Sequence, residues 1–324
     1  MNLAAREEKD PSRGRVGAAA WALMVVIALG CGDAVSGPAG APDAGVGRGD
    51  GPVVDGDVPP QSPPIPARQV TVIRTLIMAR EDAPGVSEGI DLDGETSRAS
   101  GATGCGQRDF TASDGRPGID NQFGLLVPLI EAAGGEALGP YIQGSINDGK
   151  FLVMVELDGV DDLADDDDVS LTLYRGLGTP YVGADDRLEP WQTFDIDPDG
   201  LYSRVDGVQI IDGVIEAGPF EMRLPFYIFD FVFELEIHEA QIRLQIGSQG
   251  RHIGVLAGAV GIDNILSIAD DIEGGAQIYT LLQTLADSYA DLLPDEEGVC
   301  QALSATMAFE TVGAFFYEDA PRPR

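Results

Sequence analysis

The chain has 324 residues, with 54 Asp or Glu against 20 Lys or Arg and a formal charge of −34; its two lysines are Lys9 and Lys150. A surface of that sign repels nucleic-acid phosphates and anionic lipid headgroups, which excludes both as partners held by charge. It keeps an exported protein soluble, and it invites cations or basic partners.

The first thirty residues read as a targeting segment. Met1–Arg15 is polar and ends on Arg13 and Arg15, and Val16–Leu29 is an unbroken apolar run. At about 1.5 Å per residue the run reaches ~21 Å, short of the ~30 Å of a bilayer core and suited to the apolar stretch of a signal peptide. It stops at Ala28-Leu29-Gly30-Cys31, a small residue before a cysteine. These residues resemble the lipobox of bacterial lipoproteins, departing from it at Ala28, where a larger aliphatic residue is usual. The resemblance implies cleavage before Cys31, acylation of its thiol, and anchoring at a cell-envelope membrane, the outer membrane first among them. Several acyl chains hold a protein stably where one is marginal.

Residues 31–67 are rich in Gly, Pro, Ala and Asp. They have too little large apolar surface to order themselves, so they read as a flexible tether. Residues 68–324 are enough for one globular domain with a real core.

Within that domain Gln69–Ala79 is β-branched and apolar, the pattern of a first strand. A long Gly/Asp loop follows from Arg80 to Gly118. Helices are expected over Ile119–Ala133 and Glu136–Asn147, the first starting near Val127 or kinking at Pro128. Phe151–Leu157 and Val169–Tyr174 read as an antiparallel pair around an acidic loop. Farther on, Phe231, Phe233, Leu235 and Ile237 hold the apolar face at odd numbers, whereas Ile242, Leu244 and Ile246 hold it at even ones. A period of two cannot change phase without a bulge or turn, which falls near Glu239-Ala240. Ala276–Leu293 carries apolar residues at helical spacing, and Gln301–Phe316, with Leu303, Met307 and Phe315, reads as a last helix. Strands in one group and helices in others predict an α+β fold, an antiparallel sheet packed against N-terminal and C-terminal helices.

With Cys31 taken by lipid, Cys105 and Cys300 remain, and in an oxidising compartment an even remainder reads as a disulfide. It would tie an early loop to the start of that last helix. Gly118-Ile119-Asp120-Asn121 is echoed by Gly261-Ile262-Asp263-Asn264, which reads as repeated helix capping.

The sharpest chemical pattern runs from Asp195 to Asp206. Asp195, Asp197, Asp199, Ser203 and Asp206 stand at positions one, three, five, nine and twelve, with Gly200 at six. The spacing resembles the calcium loop of EF-hand and dockerin-like proteins, departing from it at Asp206, where a longer Glu is usual, and at Pro198. The resemblance implies Ca2+ held by those five side chains. A second acidic cluster, Asp91, Asp93, Glu95, Asp109, Asp114 and Asp120, is rich in turn-formers and is a second place for a metal.

Two histidines, His238 and His252, cannot furnish a multi-histidine zinc site, and neither a Gly-x-Ser-x-Gly elbow nor a phosphate loop with lysine occurs. The expectation is a lipid-anchored envelope protein, a non-catalytic binding or structural module resembling the exported lipoproteins of unknown function and stabilised by Ca2+. Its protein or small-molecule partner is not identified by the sequence. Two alternatives stay open: an exported hydrolase using paired carboxylates, and a carrier of an apolar ligand suggested by the greasy segment Leu224–Phe233.

Overall fold

A computed structural model describes residues 67–101, 103–132, 138–228, 231–271 and 276–320, so the lipobox with Cys31 and almost all of the tether lie outside the described residues. The elements in chain order are β1 (Arg68–Met78), β2 (Glu81–Ala83), β3 (Val86–Ser87), α1 (Phe123–Ala132), α2 (Leu138–Asn147), β4 (Val153–Asp158), β5 (Asp166–Leu177) and β6 (Gln192–Ile196). They continue with β7 (Tyr202–Ile211), β8 (Val214–Ile228), β9 (Phe231–Gln245), β10 (Ile253–Gly261), α3 (Ile262–Asp271), α4 (Ala276–Tyr289), β11 (Leu292–Pro294) and β12 (Cys300–Phe316).

Eight of the strands form a closed antiparallel barrel in the order β1-β4-β5-β7-β8-β9-β10-β12, and β12 returns to pair with β1. This overturns the expected α+β sheet packed on helices. The decisive misreading is Gln301–Phe316, which is the longest strand of the barrel and not a helix. The other expectations stand closer to the structure. The first strand, the pair β4 and β5, and helices α1, α2 and α4 fall where the patterns put them, with Pro128 inside α1. The phase change in β9 is a bulge: Glu239 has φ 50°, and the register with β10 shifts there.

Register identifies the inside of the barrel. Leu76 faces Phe309, Phe309 faces Gly254, Gly254 faces Leu244, Leu244 faces Ile215, and Ile215 faces Ile210. The side chains of this ring are all buried. A Cβ at Gly254 would lie 2.5 Å from the Phe309 ring, so the glycine makes room for the phenyl group. A second ring holds Met78, Met307, Leu256, Ile242 and Ala217, and a third Leu303, Val260, Ile237 and Met222. Eight strands leave an interior that side chains of this size fill. The opposite face of β8 to β10 carries Glu216, Arg243 and Gln245. These polar groups share the outer wall with the exposed Ile77, Ile211 and Ile253, while the lumen is packed with apolar side chains, where a water-filled channel is lined by polar ones. No helix among the described residues is long and apolar enough to cross a membrane.

On β4, and on β1 and β5 around Val72 and Tyr174, the outer face is buried as well, whereas Ile77 farther along β1 stays exposed. β6 runs parallel to the end of β12 and antiparallel to the end of β5, which makes a second circuit, β1-β4-β5-β6-β12. The excursion from β5 into β6 covers these strands: Arg74 Nε donates to the Leu188 carbonyl at 3.1 Å. Tyr174 packs edge-on against Phe316 and donates from its hydroxyl to the buried Glu156, which also pairs with Arg68.

Cys105 and Cys300 form a disulfide, with Cα atoms 6.1 Å apart. It ties the long loop to the first residue of β12, a strand where a helix was expected. Replacing both cysteines by serine frees a closure of 195 residues. The loss is about 5 kcal/mol in the chain-entropy model. Urea unfolding of the two forms checks it; superimposed curves would show that the bridge constrains nothing.

Candidate metal centre

The Asp195–Asp206 spacing does not become a cation loop. Asp195 lies on β6 opposite Leu177 of β5, whereas the Asp206 carboxylate bonds the Ser170 hydroxyl near the other end of β5. Seven residues of strand at about 3.3 Å each put these positions roughly 20 Å apart, far beyond what one ion can bridge. The intervening groups have other partners. Asp197 faces the Arg175 guanidinium at 3.6 Å and accepts the Asp199 N–H. Ser203 donates to the Glu221 carbonyl at 2.9 Å, and Asp206 pairs with Arg204. The phase of two strands has pulled a linear pattern apart.

The second acidic cluster does converge. Outward-facing hydroxyls of β12 fix the segment just before α1. Ser304 Oγ accepts the Gln122 N–H at 2.8 Å, and Thr306 Oγ1 donates to the Asp120 carbonyl at 3.3 Å. Asn121 bonds across the same strand, accepting the Thr306 N–H and donating to Ser87 Oγ. Asp120 therefore does not cap α1: its carboxylate accepts the Leu92 N–H at 2.7 Å, and it is 2% exposed. Asp263, its counterpart in the sequence echo, does stand in the first turn of α3.

That bond brings the turn Asp91-Leu92-Asp93-Gly94 onto the barrel wall. Asp91 accepts the Gly94 N–H and Asp93 accepts the Glu95 N–H, each at 2.8 Å. Carboxylate oxygens of Asp91, Asp93 and Asp120 lie within 4.8 Å of one another. Oxygens that share a calcium ion at about 2.4 Å can be no farther apart than about 4.8 Å. A Cβ at Gly118 would meet Asp91 Oδ2 and the Glu95 carbonyl oxygen at 2.9 Å each, so the glycine leaves room for the turn that carries Asp91.

Two more carboxyls lie in the field of this group. Burial pushes Asp120 up to about 8, against the Leu92 hydrogen bond, with the charges of Asp93, Asp291 and Asp109 adding to the rise. Burial pushes Asp291 up to about 7, opposed by Ser304, which donates to it through both N–H and Oγ. Asp91 and Asp109 are raised too, first by burial and then by neighbouring acids. Among the described residues no Arg or Lys forms an ion pair with Asp91, Asp93, Asp109, Asp120 or Asp291.

Asp91, Asp93, Asp109 and Asp120 come from the cluster legible in the sequence, whereas Asp114 turns away to Arg116 and Glu95 offers its main chain. Asp291 carried no signal, since it follows α4 without a motif and joins the group only through Ser304. His238 pairs with Glu221 on the barrel wall; His252 is buried, with Nδ1 accepting the Gly247 N–H. No protein-family model matches the chain, and neither a curated protein nor a solved structure matches it.

The raised carboxyls fix a sign. Their folded-state values lie above the unfolded value near 3.8, so the folded state holds the extra protons. Their contribution is complete below about pH 4 and is lost as pH rises through about 7 to 8. In excess chelator the melting temperature should therefore fall from pH 6 to pH 9, and Asp120→Asn should flatten that slope. Calorimetry across the range decides it; a wild-type slope retained in the variant would mean that other groups set the dependence.

Proposed function

We propose that the chain is a lipid-anchored cell-envelope protein whose barrel is a non-catalytic scaffold braced by one calcium ion at Asp91, Asp93 and Asp120. The observation that carries the calcium is the buried Asp120 carboxylate, flanked by two more carboxylates and by no basic side chain among the described residues. A hard cation that takes six to eight oxygens answers that arrangement, and water completes a set begun by the three carboxylates. The ion would cross-link the loop around residues 91–95 to the segment held on β12, so its role is mechanical.

The anchor rests on the sequence. An apolar run too short to span a bilayer ends at Gly30-Cys31, and the tether follows. Acyl chains on Cys31 hold the protein at the membrane, and residues 32–67 hold the barrel away from a surface that its charge repels.

Thermal unfolding of the full chain in calcium and in excess chelator tests the ion. At a hundredfold excess over the dissociation constant, calcium should add about 2.7 kcal/mol, and Asp93→Asn should abolish the gain. An unchanged transition removes the ion from the proposal. Membrane fractionation of Cys31→Ala tests the anchor separately. The variant should appear in the soluble fraction; a variant that still sediments with membranes, unlipidated, defeats that half.

A further inference from the structure

At the end of β12 and along β6, the face that continues the barrel's inner wall past β10 carries an aromatic strip. The two strands are parallel, with Thr193 opposite Phe315 and Phe194 opposite Phe316. Phe194 turns into the second circuit and is 2% exposed, so Thr193 and Phe315 turn to the opposite face, together with Trp191 and Gly313 one step back. Trp191, Phe315 and Tyr317 are each about half exposed, at 51, 51 and 52%.

Such exposure usually goes with a mobile side chain, but Trp191 is held. Its N–H donates to the Gly313 carbonyl at 2.6 Å, and its φ is 66°, in the left-handed region that bulky residues avoid. A Cβ at Gly313 would lie 2.3 Å from the indole, so the missing side chain lets the ring lie against the strand. Phe315 braces it from the side, with centroids 5.8 Å apart and planes 33° apart. A strained backbone persists only where the surroundings enforce it, and here they present a fixed ring to solvent.

We infer that this strip is a binding platform for a neutral oligosaccharide. A pyranose has a face of C–H bonds, which stack on the negative face of an aromatic ring, and a rim of hydroxyls. Thr193 and Asp195 stand on the same exposed face of β6 and take that rim. The charge around the strip selects among occupants. Asp195, Glu189, Glu318 and Asp319 are exposed beside it in the chain. With a formal charge of −34, the chain disfavours an anionic membrane and a second copy of itself, but not an uncharged glycan. The platform is independent of calcium and of the anchor.

The test uses the full chain with Trp21→Phe, which leaves Trp191 as the sole indole. Its emission is followed during titration with a β-1,4-linked N-acetylglucosamine hexamer and, separately, a β-1,4-linked glucose hexamer. A saturable change with at least one is expected, half-complete on the order of 0.1 mM. Phe315→Ala should weaken it at least about tenfold with an unchanged melting temperature, because Phe315 is exposed. No saturable change with either sugar overturns the inference, as does equal affinity in Phe315→Ala. A change produced by phosphatidylcholine vesicles and by neither sugar would assign the strip to a membrane and overturn it equally.

Discussion

Pairing of β12 with β1 joins the two ends of the domain and removes both edges of the sheet. An open eight-strand sheet would present two rows of unpaired N–H and C=O groups and leave one face uncovered. Closure satisfies the first need and creates the enclosed core that satisfies the second. The cost falls on β12, which has partners on every side. It is the neighbour of β10 and β1 through most of its length, of β11 at its start and of β6 at its end. A residue on β12 therefore has few solvent-facing options, and the strand is buried almost throughout.

From that constraint follows the chemistry of its outer face. Leu303, Ala305, Met307 and Phe309 point into the barrel, so Ala302, Ser304, Thr306 and Ala308 point out. Small side chains there let the segment around Asp120 approach the sheet, and Gly89 approaches as closely: a Cβ on it would lie 3.1 Å from Thr306 Oγ1. The hydroxyls of Ser304 and Thr306 then replace the water that polar groups of the arriving loop give up. The same strand thus closes the barrel and shelves the acidic centre, and the disulfide at Cys300 pins the loop from the shelf's other end.

What could be read from the sequence follows from how many faces each segment buries. β9 has one wet face over much of its length, so its alternation was plain, down to the bulge at Glu239. β12 has none, and its Ala, Ser and Thr positions blurred the period of two until Leu303 and Met307 looked like a helical stripe. The calcium loop failed for a related reason. Spacing of carboxylates suggests a site only if the backbone curls, and Tyr202–Ile211 is extended against β5. The acidic group that does converge is drawn from residues 91 to 120 and completed at 291, distances along the chain that only the barrel brings together. The disulfide needed no such knowledge, because setting Cys31 aside leaves two cysteines and one pairing.

The identity of residue 120 bears on why a carboxylate sits there at all. Its carboxylate accepts a hydrogen bond from the Leu92 N–H, a task that an asparagine oxygen performs without burying an ionisable group. Its neighbours Asn121 and Gln122 serve the same shelf as amides, so amide side chains fit this surface. In a chain already carrying −34, burial and the acids around it raise the Asp120 carboxyl to about 8, so ionising it works against folding. With no basic partner among the described residues, hydrogen bonding alone gives no reason for an acid rather than an amide at this position. The proposed calcium ion would give that reason, because an amide has only its carbonyl dipole to offer a cation, whereas a carboxylate that yields its proton brings a full charge to the shared centre.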